Sequence, residues 1–193
     1  MKEVFEIRWH GRGGQGAKTA ALLFGDAACS TGKYIQAFPE YGPERMGAPV
    51  VSFNRISSKP IKTHGPISNP DVVVVLDASL IDQVDVISGL DPQKGIILIN
   101  SSKEPEEFSK KFNFKGQVCT VDASKISIET IGREIPNTPM MGALIKITGI
   151  LDIKAVLEDV KNKLELKFRN RPEVIEGNLK AIQQAYNQVK TLH

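Results

Sequence analysis

At 193 residues, with 41% hydrophobic and 24% charged positions and a net charge of +3, the chain has the composition of an ordinary soluble globular protein with room for a substantial core. The mild charge gives no argument for a nucleic-acid partner. No apolar run approaches the roughly 20 residues of a membrane span, and no leader pattern opens the sequence, so a cytoplasmic protein is expected. The two cysteines, Cys29 and Cys119, form neither a CxxC nor a ligand cluster, which excludes an iron–sulfur cluster or structural zinc held by this chain alone. Both read as small core residues.

In chain order, apolar alternation over 4–9 predicts a strand that runs into Gly11-Arg12-Gly13-Gly14-Gln15-Gly16, followed by an Ala-rich helix over 17–28. GxGxxG in this setting has a mechanical reading. The first glycine permits a tight turn, the second lets backbone approach a phosphate, and the third lets the helix pack closely on the strand. The helix start also points free N–H groups at that spot. Arg12 could meet a phosphate or carboxylate with two hydrogen bonds, and Gln15 could bond a ligand or a neighbouring subunit. The alternative is that the glycines serve helix–sheet packing alone.

A dinucleotide site expects an acidic residue about 20 positions on, to hold a ribose. Gln36 and Ala37 stand there instead, and Glu40 falls in the loop-like run Phe38-Pro39-Glu40-Tyr41-Gly42-Pro43. The dinucleotide reading is therefore incomplete. After a second strand over 33–38, the loop Tyr41-Gly42-Pro43-Glu44-Arg45-Met46-Gly47-Ala48-Pro49 holds Tyr41, Glu44 and Arg45 among prolines and glycines, as expected of an interface-facing or substrate-facing loop.

Alternation over 50–57 reads as an extra or edge strand. The continuous apolar run over 72–76, bounded by Asp71 and Asp77, reads as a strand covered on both faces, as does the run over 96–99 that ends in Asn100. A helix over 79–90, a short helix over 104–111, a strand over 117–122 and a helix over 126–135 complete the alternation. Asn137 opens a helix over 142–149. Amphipathic stripes from Ile153 to Leu164 and from Ile175 to Val189 predict two more. The rhythm implies a three-layer, Rossmann-like, doubly wound α/β fold with a mainly parallel sheet. It is read as one domain over 1–193, with an α/β core to about 150 and a C-terminal helical part over about 151–193.

Lys161, Lys163, Lys167, Arg169 and Arg171 read as a solvated face, with an anionic partner as the alternative. His10 and His64 stand alone and read as structural. Lys18 follows Gly16 by two positions, so the Walker A spacing is not met, and neither paired carboxylates nor a nucleophile elbow occurs. Autonomous catalysis is unsupported.

The glycine loop, the run from Tyr41 to Gly47, the strand over 72–76 closed by Asp77, and Asn137 with Gly142 together resemble the gamma subunit of the 2-oxoacid:ferredoxin oxidoreductases, most closely the pyruvate:ferredoxin oxidoreductase (pyruvate synthase) branch. The likeness covers nearly the whole chain, including Asn178-Leu179-Lys180-Ala181. It implies a subunit of a heteromeric complex, with alpha, beta and delta-type partners. That complex oxidatively decarboxylates pyruvate with coenzyme A to acetyl-CoA, carbon dioxide and reduced ferredoxin. The resemblance places thiamine diphosphate, Mg2+ and 4Fe-4S clusters on partner subunits, leaving this chain without a redox centre, a metal or a catalytic residue and inactive alone. Gly11, Arg12, Gly13, Gly14, Gln15, Gly16, Tyr41, Gly42, Glu44, Arg45 and Asn137 are then expected to face the thiamine-bearing subunits or coenzyme A. The same pattern admits 2-oxoisovalerate, indolepyruvate or 2-oxoglutarate as substrate. A stand-alone Rossmann-like nucleotide-binding protein is the remaining alternative.

Overall fold

The run of four valines in β4 (Val72–Val75) and the apolar run in β5 (Ile96–Asn100) have buried side chains on both faces, as expected of strands sandwiched between two layers. Our structure, a computed structural model, describes residues 3–14, 16–40 and 46–192. Among these, seven strands form one sheet in the order β2-β3-β1-β4-β5-β6-β7, with β1 (Val4–Arg12), β2 (Tyr34–Pro39), β3 (Pro49–Ser57), β6 (Gln117–Val121) and β7 (Lys190–Leu192). The core strands β1, β4, β5 and β6 run parallel. β3 pairs antiparallel with both β1 and β2, and β7 is antiparallel to β6. The sheet is thus mainly parallel in its core, as expected, with antiparallel pairs toward its edges.

Side-chain alternation sends Val72, Val74, Leu98 and Cys119 to one face, with α1 (Ala17–Ser30), α3 (Ala123–Ile131), α4 (Asn137–Thr148), α5 (Ile153–Lys167) and α6 (Pro172–Gln188). Val73, Val75, Ile97, Ile99 and Val118 face the other way, against Leu80, Val86, Leu90 and Phe108 of α2 (Pro105–Phe112). Val156, Ala181, Ile182 and Ala185 belong to the same core as Trp9 and Phe24, so the C-terminal helices share the core of the sheet.

Four expectations are corrected. The segment over 79–90 is a short 3₁₀ turn, Ala78–Asp82, followed by irregular turns. Buried Arg8 takes the carbonyls of Val86 (3.1 Å) and Ser88 (2.5 Å); the first is the one a helix would give to the Leu90 N–H, which instead meets the Ile87 carbonyl (2.9 Å), and Gly89 sits at φ 74. α3 begins at Ala123, three residues early, because Asp122 caps it by accepting from the Lys125 N–H (3.0 Å), and Gly132 at φ 77 ends it. α4 starts at Asn137 rather than 142. α6 ends at Gln188 with Val189 as its C-cap, in line with the stripe to Val189, and β7 is an additional strand beyond it. Finally, Cys29 is exposed on α1; only Cys119 is a core cysteine.

The basic stretch lies on the exposed surface of α5 and of the connection to α6, and three of its five residues are paired: Lys163 bridges Asp26 (2.7 Å) and Asp159 (2.6 Å), Lys161 meets Glu165 (3.8 Å), and Arg171 meets Glu173 (3.1 Å). No helix among the described residues is long and apolar enough to cross a membrane.

Candidate functional site

In this sheet the chain leaves β1 toward one edge and returns to β4 on the other side, so a crevice opens between the ends of β1 and β4. A cleft of about 600 Å³ occupies that position. It is lined by Gly14, Gly16 and Thr19 from the start of α1, Asp77 after β4, Asn100 at the end of β5, Ser124 in α3, and Glu134 and Asn137 at the start of α4.

Gly11 and Arg12 still belong to β1, so the turn is made by the glycines after them. A Cβ at Gly11 would meet the Ala17 Cβ at 3.0 Å, which is the close helix–strand packing expected of this motif. Gly14 (φ 91) and Gly16 (φ 86) take left-handed backbone that disfavours any side chain. At Gly16, a Cβ would also stand 3.1 Å from the Asn137 Nδ2, so the third glycine lets α4 reach the loop. The loop is tied to the following segment by two backbone bonds, Gly13 N–H to the Ala48 carbonyl (2.8 Å) and Gly47 N–H to the Gly13 carbonyl (3.0 Å).

Arg12 is held against the turn after β4 and the Gly47 segment. Its Nε donates to Asp77 (3.0 Å), one terminal nitrogen to the Gly47 carbonyl (3.0 Å) and the other to Ser79 Oγ (2.7 Å). Asp77 in turn caps the 3₁₀ turn by accepting from the Ser79 N–H (2.9 Å). Asn100 links three elements: its Nδ2 donates to the Leu76 carbonyl and to Ser124 Oγ (both 3.0 Å), and its Oδ1 accepts from the Ser124 N–H (3.2 Å). Asn137 is buried, its Oδ1 accepting from the Thr138 N–H (2.8 Å), while Thr138 Oγ1 reaches Asn178 Oδ1 (3.4 Å).

Of the expected site residues, the structure brings Gly14, Gly16 and Asn137 to the lining of one cleft; Arg12 touches it through its bond to Asp77, and Gly11 and Gly13 stand outside the lining. Gln15, Tyr41, Gly42, Glu44 and Arg45 lie outside the described residues. Sequence reasoning missed Asn100 and Ser124. The available signal was a polar residue closing a parallel-strand apolar run, at the sheet end where ligands bind. The described lining offers neutral hydrogen-bonding groups and two carboxylates, Asp77 held by Arg12 and Glu134 exposed.

The missing ribose acid has a topological cause. β3 inserts between β1 and β2, so β2 runs parallel to β1 but stands two strand spacings away, about 10 Å. An acid at its end would be carried away from the glycine loop. Beneath the loop, His10 is buried, its Nε2 accepts from Arg8 Nε (3.1 Å), and burial followed by the Arg8 charge pushes its pKa down to about 4. His64 is exposed on the segment after β3.

A 4Fe-4S cluster needs four thiolates, and the two cysteines here lie on α1 and β6. Among the described residues no group of three or more His, Cys, Asp or Glu side chains is placed to hold a metal.

A parallel core with a glycine-loop cleft at its switch point and an antiparallel β2–β3 extension defines a variant Rossmann-like α/β module. Residues 6–188 match the family described as pyruvate ferredoxin/flavodoxin oxidoreductase, and the chain belongs to that family. It is 47% identical over 189 residues to pyruvate synthase subunit PorC of Thermotoga maritima, covering 98% of this chain and 96% of the relative. It is 46% identical to the pyruvate/ketoisovalerate oxidoreductases common subunit gamma of Thermococcus kodakarensis, covering 95% and 96%. The crystal structure of the Thermotoga maritima pyruvate oxidoreductase subunit PorC matches with a TM-score of 0.86 at 44% identity, covering 100% of both chains. A 2-oxoglutarate:ferredoxin oxidoreductase from Magnetococcus marinus shares the fold, with a TM-score of 0.71 at 19% identity, over 97% of this chain and 31% of that one.

Proposed function

We propose that the chain is the gamma subunit of a cytoplasmic, multi-subunit pyruvate:ferredoxin oxidoreductase, which oxidatively decarboxylates pyruvate with coenzyme A to acetyl-CoA, carbon dioxide and reduced ferredoxin. The observation that carries this reading is the full-length likeness, at 47% identity, to a pyruvate synthase PorC subunit. The chain acts as one gamma-type domain over its 193 residues and is not an enzyme alone. Thiamine diphosphate, Mg2+ and the 4Fe-4S clusters reside on alpha, beta and delta-type partners, and the cofactor chemistry belongs there.

Within that assembly the glycine-loop cleft faces the thiamine-bearing subunits or the entering coenzyme A, whose phosphates suit a helix N-terminus. Gly11, Arg12, Gly13, Gly14, Gln15, Gly16, Tyr41, Gly42, Glu44, Arg45 and Asn137 make up this surface. Arg12 contributes by shaping the wall through Asp77, Gly47 and Ser79. A relative named as a gamma subunit common to pyruvate and ketoisovalerate enzymes favours a second reading of the substrate, in which this subunit serves more than one 2-oxoacid enzyme and does not select among them.

Co-expression with candidate alpha, beta and delta subunits tests the proposal. A brown complex that reduces ferredoxin with pyruvate and coenzyme A is expected; a colourless homo-oligomer that binds no other subunit would overturn it. Within the complex, Arg45→Ala is expected to impair assembly or the coenzyme A dependence of turnover, and unchanged assembly and kinetics remove it from the site.

A further inference from the structure

The two edges of the sheet are built differently. β7 is three residues long and carries Lys190, two ordinary devices against accidental strand pairing. β2 is six residues long, spans about 20 Å, and has no charged side chain from Tyr34 to Pro39. Its hydrogen-bond phase follows from one contact. The Glu40 N–H donates to the Val51 carbonyl (2.9 Å). In an antiparallel ladder, residues two apart share a direction, so Gln36 and Phe38 also turn their backbone groups to β3, opposite Arg55 and Phe53. Ile35 and Ala37 therefore turn both N–H and C=O outward, and Pro39 turns out its carbonyl. Among the described residues none of these outward groups has a hydrogen-bond partner.

Grooves flank this edge on both faces. On the α1 side, Leu22, Leu23, Cys29, Ile35 and Ala37 line one of about 480 Å³, with Leu22 46% and Leu23 40% exposed. On the other side, Phe38, Phe53, His64 and Pro66 line one of about 630 Å³. An extended segment laid along β2 would send alternate side chains into the two grooves while its backbone met Ile35 and Ala37. A helix could fill a groove but would leave the outward backbone groups unsatisfied, which is costly once they are buried.

We propose that the β2 edge is a docking site for an extended, uncharged, apolar segment of another subunit, which adds to the sheet as an eighth strand. This rests on the reading of the chain as a complex subunit. The segment pairs with the outward backbone of Ile35, Ala37 and Pro39 and buries Leu22, Leu23 and Cys29 beneath it.

Amide hydrogen exchange of the whole co-expressed complex against the isolated chain tests this. The Gln36 and Phe38 amides, already bonded to β3, are expected to be slow in both. The Ile35 and Ala37 amides are expected to exchange at least tenfold more slowly only in the complex, and Cys29 to lose its reactivity toward iodoacetamide there. Ala37→Pro removes one outward donor while keeping the ladder to β3, since proline is tolerated where the N–H faces off the sheet. It is expected to weaken subunit retention about tenfold, the loss of a backbone bond plus the clash with an added strand. Leu23→Lys charges the groove from α1 without touching the strand and is expected to act likewise, whereas Ile128→Glu, on exposed surface of α3, leaves assembly intact. A complex in which the Ile35 and Ala37 amides exchange as fast as in the free chain overturns the edge and leaves the subunit reading standing. No complex at all with the native chain overturns both. Protection of the same amides in the isolated chain at high concentration assigns the edge to a second copy and overturns the partner assignment.

Discussion

On the face of β1 turned away from α1, Arg8, His10 and Arg12 form a row in which each side chain has a separate task. Arg8 closes the irregular segment through the Val86 and Ser88 carbonyls, and His10 accepts a hydrogen bond from its Nε. A histidine whose native pKa is about 4 against 6.5 when unfolded stays neutral in the fold, so the unfolded chain binds more protons between these values. The stability this gives is present in full above pH 6.5 and is lost as the pH falls toward 4. The urea stability of the purified chain is expected to fall by about 2 kcal/mol from this group between pH 7.5 and pH 5, and His10→Gln should remove that part of the slope. An identical pH slope for the variant would show that His10 is not its source. Arg12 has a more local role. Its bonds to Asp77, Gly47 and Ser79 join the ends of β1 and β4 to the Gly47 turn, so Arg12→Ala is expected to speed exchange of the Gly47 amide about tenfold while the amides of β4 keep their protection.

Among the elements, α4 and α6 make the tightest approach. A Cβ at Gly142 would lie 2.1 Å from the Ile182 carbonyl oxygen, and backbone cannot yield as a flexible side chain can. Gly142→Ala is expected to cost about 3 kcal/mol and to lower the melting temperature by roughly 6–12 °C, measured by circular dichroism. A shift under one degree would mean that the helices separate freely. Elements with one strong local cause could be read from the sequence: the apolar runs of β4 and β5 leave no alternative to buried strands, and the glycine spacing marks the turn after β1. Others depend on distant partners. Leu80, Val84 and Ile87 have the spacing of a helix face, yet Arg8, nearly 80 residues away, takes the Val86 carbonyl that such a helix needs. The site divides the same way. The glycine loop is local, but Asp77 as the partner of Arg12, and Asn100 as the bridge to Ser124, appear only when four strand ends are brought together. The exposure of Cys29 is not legible in the sequence because α1 is apolar on nearly every side, so its pattern does not mark which face meets the sheet.

For the molecule as a whole, the two cysteines report on different events. Cys29 is exposed, whereas Cys119 is fully buried in β6, and burial pushes its thiol pKa up to about 12. Thiolate is the reactive form, so Cys119 can be labelled only after the sheet opens. The core that covers it draws on β1, α1, β4 to β6 and every helix from α3 to α6, so no single element can leave without exposing the rest. Alkylation of the isolated native chain is therefore expected to show one fast thiol and one whose rate follows the global opening equilibrium. If opening is cooperative, Gly142→Ala, placed between α4 and α6 and not beside Cys119, should speed labelling of Cys119 by roughly a hundredfold, the factor that matches about 3 kcal/mol. Mass spectrometry of each thiol over time measures this. Two fast thiols, or a Cys119 rate indifferent to Gly142→Ala, would mean that β6 opens independently of the C-terminal helices. The fast phase at Cys29 must at the same time remain unchanged, because its exposure on α1 does not depend on unfolding.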